Sequence, residues 1–255
     1  MKKLRVSLLH VAPIVGEIGY NRRLIECAVQ VAAERGADWA VSPELCLCGY
    51  QFSQRIGTDW IAPQPDAWMA QFCQLVKSLQ ISVFLAGPER DATTGKLHNS
   101  AFLINSDGEI IGKHCKINVH AEASWASPGE AISAIAWNSL KVGLLICADA
   151  YTKDIAGSLK AQGAQLLVSP AAWAPGLYGP AGEWEQRTRD TGLPLIVCNR
   201  TGKEETLSFV QAESVVVKQG KRVLAHRSTR SVVLTFDWDL ETMDLLSPAY
   251  QKDDL

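Results

Sequence analysis

Four polar residues in this chain sit directly after apolar runs, where a strand emerging from a covered sheet would release them. WAVSPE ends on Glu44, IIGKHCKIN carries Lys116, VGLLIC ends on Cys147 with Asp149 just beyond, and LIVCN ends on Asn199. Ligands of helix-covered sheets bind beyond the carboxyl ends of the strands, so these positions have first claim on any chemistry. Cys147 lies where a buried strand turns into a helix starting near Thr152. Such an elbow presents sulfur to a ligand, with the Ala148 N–H beside it as a donor to an oxyanion. An ordinary buried thiol at a strand end has the same spacing, and free cysteine is among the most buried residue types. A thiol of ordinary pKa, about 8.5, is mostly protonated at neutral pH, so a catalytic one needs a base or a cation nearby. Histidine is the usual base, but of the five here His10 lies in an early strand, His226 in a late hairpin and His120 in a loop. A Cys-His dyad stays open as the second choice. Glu44 and Lys116 belong to types usually found on the surface, yet both abut apolar runs where an unpaired charge is expensive.

The elements that would hold these residues alternate along the chain in the manner of βα units over a central sheet. Residues 5–12 read as a strand, 21–36 as a helix capped by Asn21 and ended by Gly36, and 39–44 as the next strand. A helix over 66–80 and a strand over 81–87 follow. The stretch 97–118 holds two β-like runs around Asp107-Gly108, a hairpin signal that brings antiparallel pairing into the pattern. Beyond it come a strand (140–149), helix (152–163), strand (164–172), helix (183–192) and strand (194–202). A hairpin turning at Gln219-Gly220 and a last strand over 230–238 close the chain, which has no internal repeat or low-complexity tract.

With 255 residues, 47% hydrophobic and 20% charged, the chain supplies one large α/β core and little for a second, so a single domain over 1–255 is expected. Its 25 basic and 27 acidic residues give a net charge of −2, and no basic run exceeds a dipeptide, which argues against a nucleic-acid partner. The basic-then-apolar start is broken by His10 and Pro13 and reads as a strand rather than a signal peptide. No apolar stretch approaches the roughly 20 residues of a membrane helix, so a soluble protein is expected. Seven cysteines in an odd set, without finger spacing, fit reduced thiols in a cytoplasmic protein. Cys46 and Cys48 are one residue apart, tighter than the usual zinc spacers of about two to four, and no metal or cofactor is expected.

Three separated segments resemble the nitrilase superfamily of carbon–nitrogen hydrolases. SPELCLCGY (42–50) is similar to the segment around that family's glutamate base, in which Pro-Glu-Leu is followed shortly by Gly-Tyr. HCKINV (114–119) is similar to its lysine strand, and VGLLICADAY (142–151) to its Gly-x-x-Ile-Cys-x-Asp nucleophile elbow. The order agrees, and the likeness continues through GAQLLVSPAAW (163–173), RTRD (187–190), VCNRTG (197–202) and GKRVLA (220–225), covering nearly the whole chain. The resemblance implies a four-layer α-β-β-α sandwich with mixed sheets, paired through outer helices into at least a homodimer. It implies cysteine-dependent hydrolysis of a non-peptide C–N bond in a small-molecule amide. Cys147 would be the nucleophile, Glu44 the buried general base, and Lys116 with the Ala148 N–H the oxyanion stabilisers. A second family glutamate falls on Glu122 in AEASWASPG, with Trp125, Pro128 and Gly129 in the expected relation; a solvated loop acid is the plainer reading of Glu122 alone.

Departures from the family pattern bear on substrate. Asp149 stands two residues after the cysteine, as in amidase-like branches, whereas true nitrilases carry Cys-Trp-Glu; amide hydrolysis is favoured over nitrile hydrolysis. Many relatives continue Asp-x-Arg, an arginine that can pair with a substrate carboxylate, where this chain has Asp149-Ala150-Tyr151. Tyr151 and Trp173 would wall an apolar or neutral pocket, core packing being the alternative for each, and Asn199 is grouped with them on the substrate side. His114, Cys115 and Asn118 replace the commoner aromatic, arginine and histidine around Lys116. Nitrile or N-carbamoyl amide hydrolysis uses the same triad. So do acyltransferases and the amide-hydrolysing half of ammonia-channelling synthetases. A non-catalytic binding protein of this fold would be expected to lack a triad member, and all three are present.

Overall fold

Runs rich in Val, Leu and Ile are here strands buried on both faces, with amphipathic helices between them. The computed structural model describes residues 2–119, 125–176 and 178–255. In chain order the elements are β1 (Lys3–His10), α1 (Ile18–Glu34), β2 (Trp39–Val41), α2 (Phe52–Ile56), α3 (Ala67–Leu79), β3 (Ser82–Arg90), β4 (Leu97–Ile104) and β5 (Ile110–Cys115). Then follow β6 (Ile135–Trp137), β7 (Leu140–Leu144), a 3-10 turn (Cys147–Tyr151), α4 (Lys153–Ala161), β8 (Leu166–Ala171), α5 (Glu183–Thr191) and β9 (Leu195–Asn199). The chain ends with β10 (Ser214–Lys218), β11 (Lys221–His226), β12 (Val232–Asp239), β13 (Asp244–Leu245) and β14 (Gln251–Asp254).

Among the described residues these strands form two sheets. The first is ordered β13-β12-β1-β2-β3-β4-β5, with β14 also on β12, and the second β11-β10-β9-β8-β7-β6. Pairing is parallel at β1-β2-β3 and β7-β8-β9 and antiparallel toward the edges. Leu4, Val6, Leu8 and Phe84 of the first sheet meet Val142, Val168, Ile196 and Val216 of the second in one continuous core. Helices α1 and α3 cover the outer face of the first sheet, and α4 and α5 that of the second. The result is an α-β-β-α sandwich. Trp39 on β2 and Trp137 on β6 cross the seam edge to face, with ring centroids 4.9 Å apart.

Several expected boundaries shift for physical reasons. Asn21 does not cap α1, which starts three residues earlier. Its buried side chain bonds the Ile14 N–H (2.8 Å) and carbonyl (2.7 Å) and the Leu47 carbonyl, tying loops rather than a helix end. Helix α3 does have a cap at Asp66, whose Oδ1 accepts the Met69 N–H at 2.8 Å. Strand β2 stops at Val41, so Glu44 lies in the turn beyond it. The strand over 230–238 is not the last, because β13 and β14 add to the edge of β12. The short β6 pairs with β7 around Asn138, at φ 51°.

Candidate active site

Three strand ends deliver the polar residues to one place. After β2 the chain turns sharply, with Leu45 at φ 51°, and the Glu44 N–H donates to the Ala171 carbonyl at the end of β8, in the opposite sheet. Lys116 follows β5, its N–H on the Asn99 carbonyl at 2.8 Å. Cys147 opens the 3-10 turn after β7 at φ 49°, a left-handed backbone that costs a non-glycine residue about 1–3 kcal/mol and marks an over-determined position.

What holds that turn is Asp149, wholly buried. Its Oδ2 accepts from the Ile146 N–H (2.9 Å) and from His114 Nε2 (2.8 Å). Its Oδ1 accepts from the N–H groups of Ile117 (3.0 Å) and Asn118 (2.8 Å). Burial pushes the Asp149 carboxyl up, but His114 and the backbone donors outweigh it and hold the group below the usual carboxylate range. One carboxylate thus staples the cysteine turn to the lysine segment, and Asn118 Nδ2 adds a bond to the Ala148 carbonyl at 3.0 Å.

Glu44 is also fully buried, and its charge is met on every side. Oε1 accepts from Lys116 Nζ and Asn99 Nδ2, both at 2.7 Å, and Oε2 accepts the Ala172 N–H at 3.0 Å. Burial pushes the Cys147 thiol well above the usual range, and the adjacent Glu44 carboxylate adds to this while the Lys116 ammonium opposes it. The resting thiol is therefore protonated, with a carboxylate beside it. Burial alone would depress Lys116, but attraction to Glu44 overrides it and the amine stays an ammonium, its pKa raised. Such a set can move one proton between sulfur and carboxylate beside a fixed positive charge.

Two cavities flank the cluster and share Tyr50 and Leu207. One, about 270 Å³, is lined by Lys116, Asn99, Gln51, Gln54 and Trp125. The other, about 310 Å³, is lined by Cys147, Ala148, Tyr151, Trp173, Tyr178 and Phe209.

Glu44, Lys116 and Cys147 are thus brought together as the sequence suggests, with Ala148 beside the sulfur and Tyr151 and Trp173 in one wall, their rings 5.0 Å apart. Asn199 is a correction: it lines neither cavity. It is buried behind Trp173, with Oδ1 on the Trp173 N–H (3.0 Å) and Nδ2 on its carbonyl (3.1 Å), so the chain leaving β8 consumes its side chain. Glu122 lies outside the described residues. Nearby, the Gly129 N–H donates to the Lys116 carbonyl at 2.8 Å.

Sequence reasoning missed three residues. Asn99 contacts Glu44 directly, and its own Oδ1 is buried with no partner among the described residues. Tyr50 sits between the cavities, where burial, with the Glu44 carboxylate adding to it, pushes its hydroxyl up; the Gly-Tyr of SPELCLCGY was its only signal. Glu204 accepts the N–H groups of Tyr50 and Gln51, each at 2.8 Å, and pairs with Arg200, which lies 4.4 Å from the Phe209 ring centroid. Nothing in the local sequence around Glu204 marks it.

Residues 5–247 match the family model described as carbon-nitrogen hydrolase. Omega-amidase NIT2 of Mus musculus is 30% identical over 95% of this chain and 91% of its own length. The glutamine-dependent NAD(+) synthetase of Thermotoga maritima is 26% identical over 94% of this chain, which spans only 43% of that longer protein. Among solved structures, Nit3 of Saccharomyces cerevisiae, a member of branch 10 of the nitrilase superfamily, superposes with a TM-score of 0.83 at 23% identity, over 95% of this chain and 92% of that one.

Proposed function

The chain belongs to the carbon–nitrogen hydrolase family, and from that premise we propose that it hydrolyses the C–N bond of a small-molecule amide through a thioester on Cys147. The observation that carries this reading is the convergence of a buried carboxylate, a buried ammonium and a protonated thiol from three strand ends. The omega-amidase relative lends the reaction class. Glu44 takes the proton from Cys147 Sγ as sulfur attacks the amide carbon. The carbonyl oxygen becomes an oxyanion facing the Lys116 ammonium and the Ala148 N–H, at the start of a turn whose first N–H groups have no partner within it. Collapse expels the amine, or ammonia, which leaves with the proton held by Glu44. The same carboxylate then deprotonates a water that attacks the thioester. Sulfur departs, recovers its proton, and the acid is released. Asn99 keeps Glu44 aimed, and its Oδ1, without a partner among the described residues, is suited to accept an N–H of the substrate amide or an O–H of that water.

Electrospray mass spectrometry during turnover of an amide panel tests this reading. The expected result is a transient acyl adduct on the peptide containing Cys147, absent along with turnover in Cys147→Ala. Undiminished hydrolysis by that variant would overturn it. The core that both sheets share supports one domain over 1–255, and seven free cysteines favour a reducing, cytoplasmic location. Family likeness favours a homodimer through outer helices, which light scattering would show as twice the chain mass.

A further inference from the structure

The cavity at the cysteine differs from its neighbour in one respect that bears on substrate. Among the described residues lining it none carries a formal charge. Its wall is built from the faces of Tyr50, Tyr151, Trp173 and Phe209 with alanine, proline and glycine between them. The polar tips of Tyr151 and Trp173 in this wall are already occupied. Tyr151 Oη donates to the Tyr178 carbonyl at 2.9 Å, and Trp173 Nε1 donates to the same oxygen. Arg187 does not line the cavity; its guanidinium bonds the Tyr151 carbonyl at 3.3 Å and Asp190 at 2.8 Å. Lys116 and Arg200 are likewise neutralised by Glu44 and Glu204. A carboxylate entering this space would lose its water with no cation to receive it, whereas an alkyl or aryl group would gain by burial.

We propose that this cavity holds the acyl chain of the substrate, and that the enzyme selects amides of uncharged, apolar carboxylic acids over ω-amides bearing a free carboxylate. The inference rests on the amidase reading above, because the acyl group stays bonded to Sγ after the amine departs and so must fit the cavity that Cys147 itself lines. It separates this chain from a relative named as an omega-amidase. About 310 Å³ accommodates a branched six- or seven-carbon chain or a phenyl ring with room to spare.

The test compares two amides of matched shape, 5-methylhexanamide and the monoamide of glutaric acid, in which an isopropyl group stands where the other has a carboxylate. The expected kcat/KM ratio is at least about 100-fold in favour of the neutral amide. In Tyr151→Arg the ratio should narrow by at least about 10-fold through a new arginine–carboxylate pair. A ratio near one, or a preference for the acid amide in the unsubstituted protein, would overturn the proposal and leave the hydrolase reading intact. A second measurement is independent of turnover: protection of Cys147 from iodoacetamide, read by mass on its peptide. Protection by the neutral amide alone supports the cavity's selectivity even if neither amide is hydrolysed, an outcome that would sink the amidase reading instead. Equal protection by both amides, or protection by neither, counts against the cavity proposal.

Discussion

Oε1 of Glu44 accepts two hydrogen bonds of 2.7 Å, from Lys116 and from Asn99, and the second is the one that can be removed without stranding a charge. Asn99→Leu should therefore fold and lose about 10–100-fold in kcat, because Glu44 is free to swing from the thiol. Asn99→Asp should do more: a second carboxylate against Glu44 resists joint ionisation, so the acid limb of the kcat/KM profile should move to higher pH. A pH–rate profile unchanged from that of the unsubstituted protein would show that the reaction does not depend on the ionisation of the carboxylate that Asn99 touches. Asp149 is different in kind, since all four of its bonds come from donors. Asp149→Asn turns an NH₂ toward N–H groups and should cost about 3 kcal/mol or more in urea unfolding, with activity lost as the elbow relaxes. Glu44, Lys116 and Cys147 are legible in the sequence because each follows an apolar run. Asn99 is not, for a definite reason. It stands inside β4, before an apolar run rather than after one, and only the pairing of β4 with β5, which sets Ser100 opposite Cys115, brings it beside Lys116 and so to Glu44.

At the scale of elements, the loops that follow strands carry the site, and each is pinned from outside it. The loop after β5 returns against its own strand at Gly129, where an added Cβ would lie 2.2 Å from the Cys115 carbonyl. Gly129 cannot retreat while its N–H is bonded to Lys116, so Gly129→Ala should displace the lysine segment, destabilise by about 1–3 kcal/mol and lower kcat. Comparing thermal melts with rates would reveal both effects. The loop after β2 is pinned by Glu204, whose side chain is fully buried with Arg200. Glu204→Gln leaves that guanidinium underpaired and should cost about 3–5 kcal/mol, whereas Arg200→Met with Glu204→Met together should recover much of the stability but not the seating of Tyr50, and hence not the activity. Most helices and strands were readable from hydrophobic period, and the two hairpins from Asp107-Gly108 and Gln219-Gly220. Strand β14 was not, since QKDD at a sheet edge shows no buried face; nor was Asn21, whose type suits a cap while its contacts make it a tie.

The molecule as a whole is two sheets clamped across one core, and a histidine helps to close the clamp. His10 on β1 bonds Ser214 on β10 through Nδ1 at 2.9 Å, its ring edge-on to His226, which is itself near Lys252. Burial, with His226 adding to it, lowers His10 to about 4 from 6.5. Because the folded-state value is the depressed one, the unfolded chain binds the extra proton between those limits, and stability is full above pH 6.5 and declines toward pH 4. The loss from this one group is roughly 3 kcal/mol, and urea midpoints measured across that interval should fall less steeply in His10→Asn. The seam has a further bearing on how damage would show itself. Glu44 and Lys116 ride on one sheet and Cys147 on the other, so on the proposed mechanism a slip of about 1 Å between the layers would part the Glu44 carboxylate from the sulfur and forfeit about 100-fold in rate. Every ladder within each sheet would survive such a slip, and circular dichroism would report nothing. Turnover is then the finest available gauge of how the halves are registered, and substitutions deep between the layers, far from any ligand, should be felt first as slow enzymes rather than as unfolded ones.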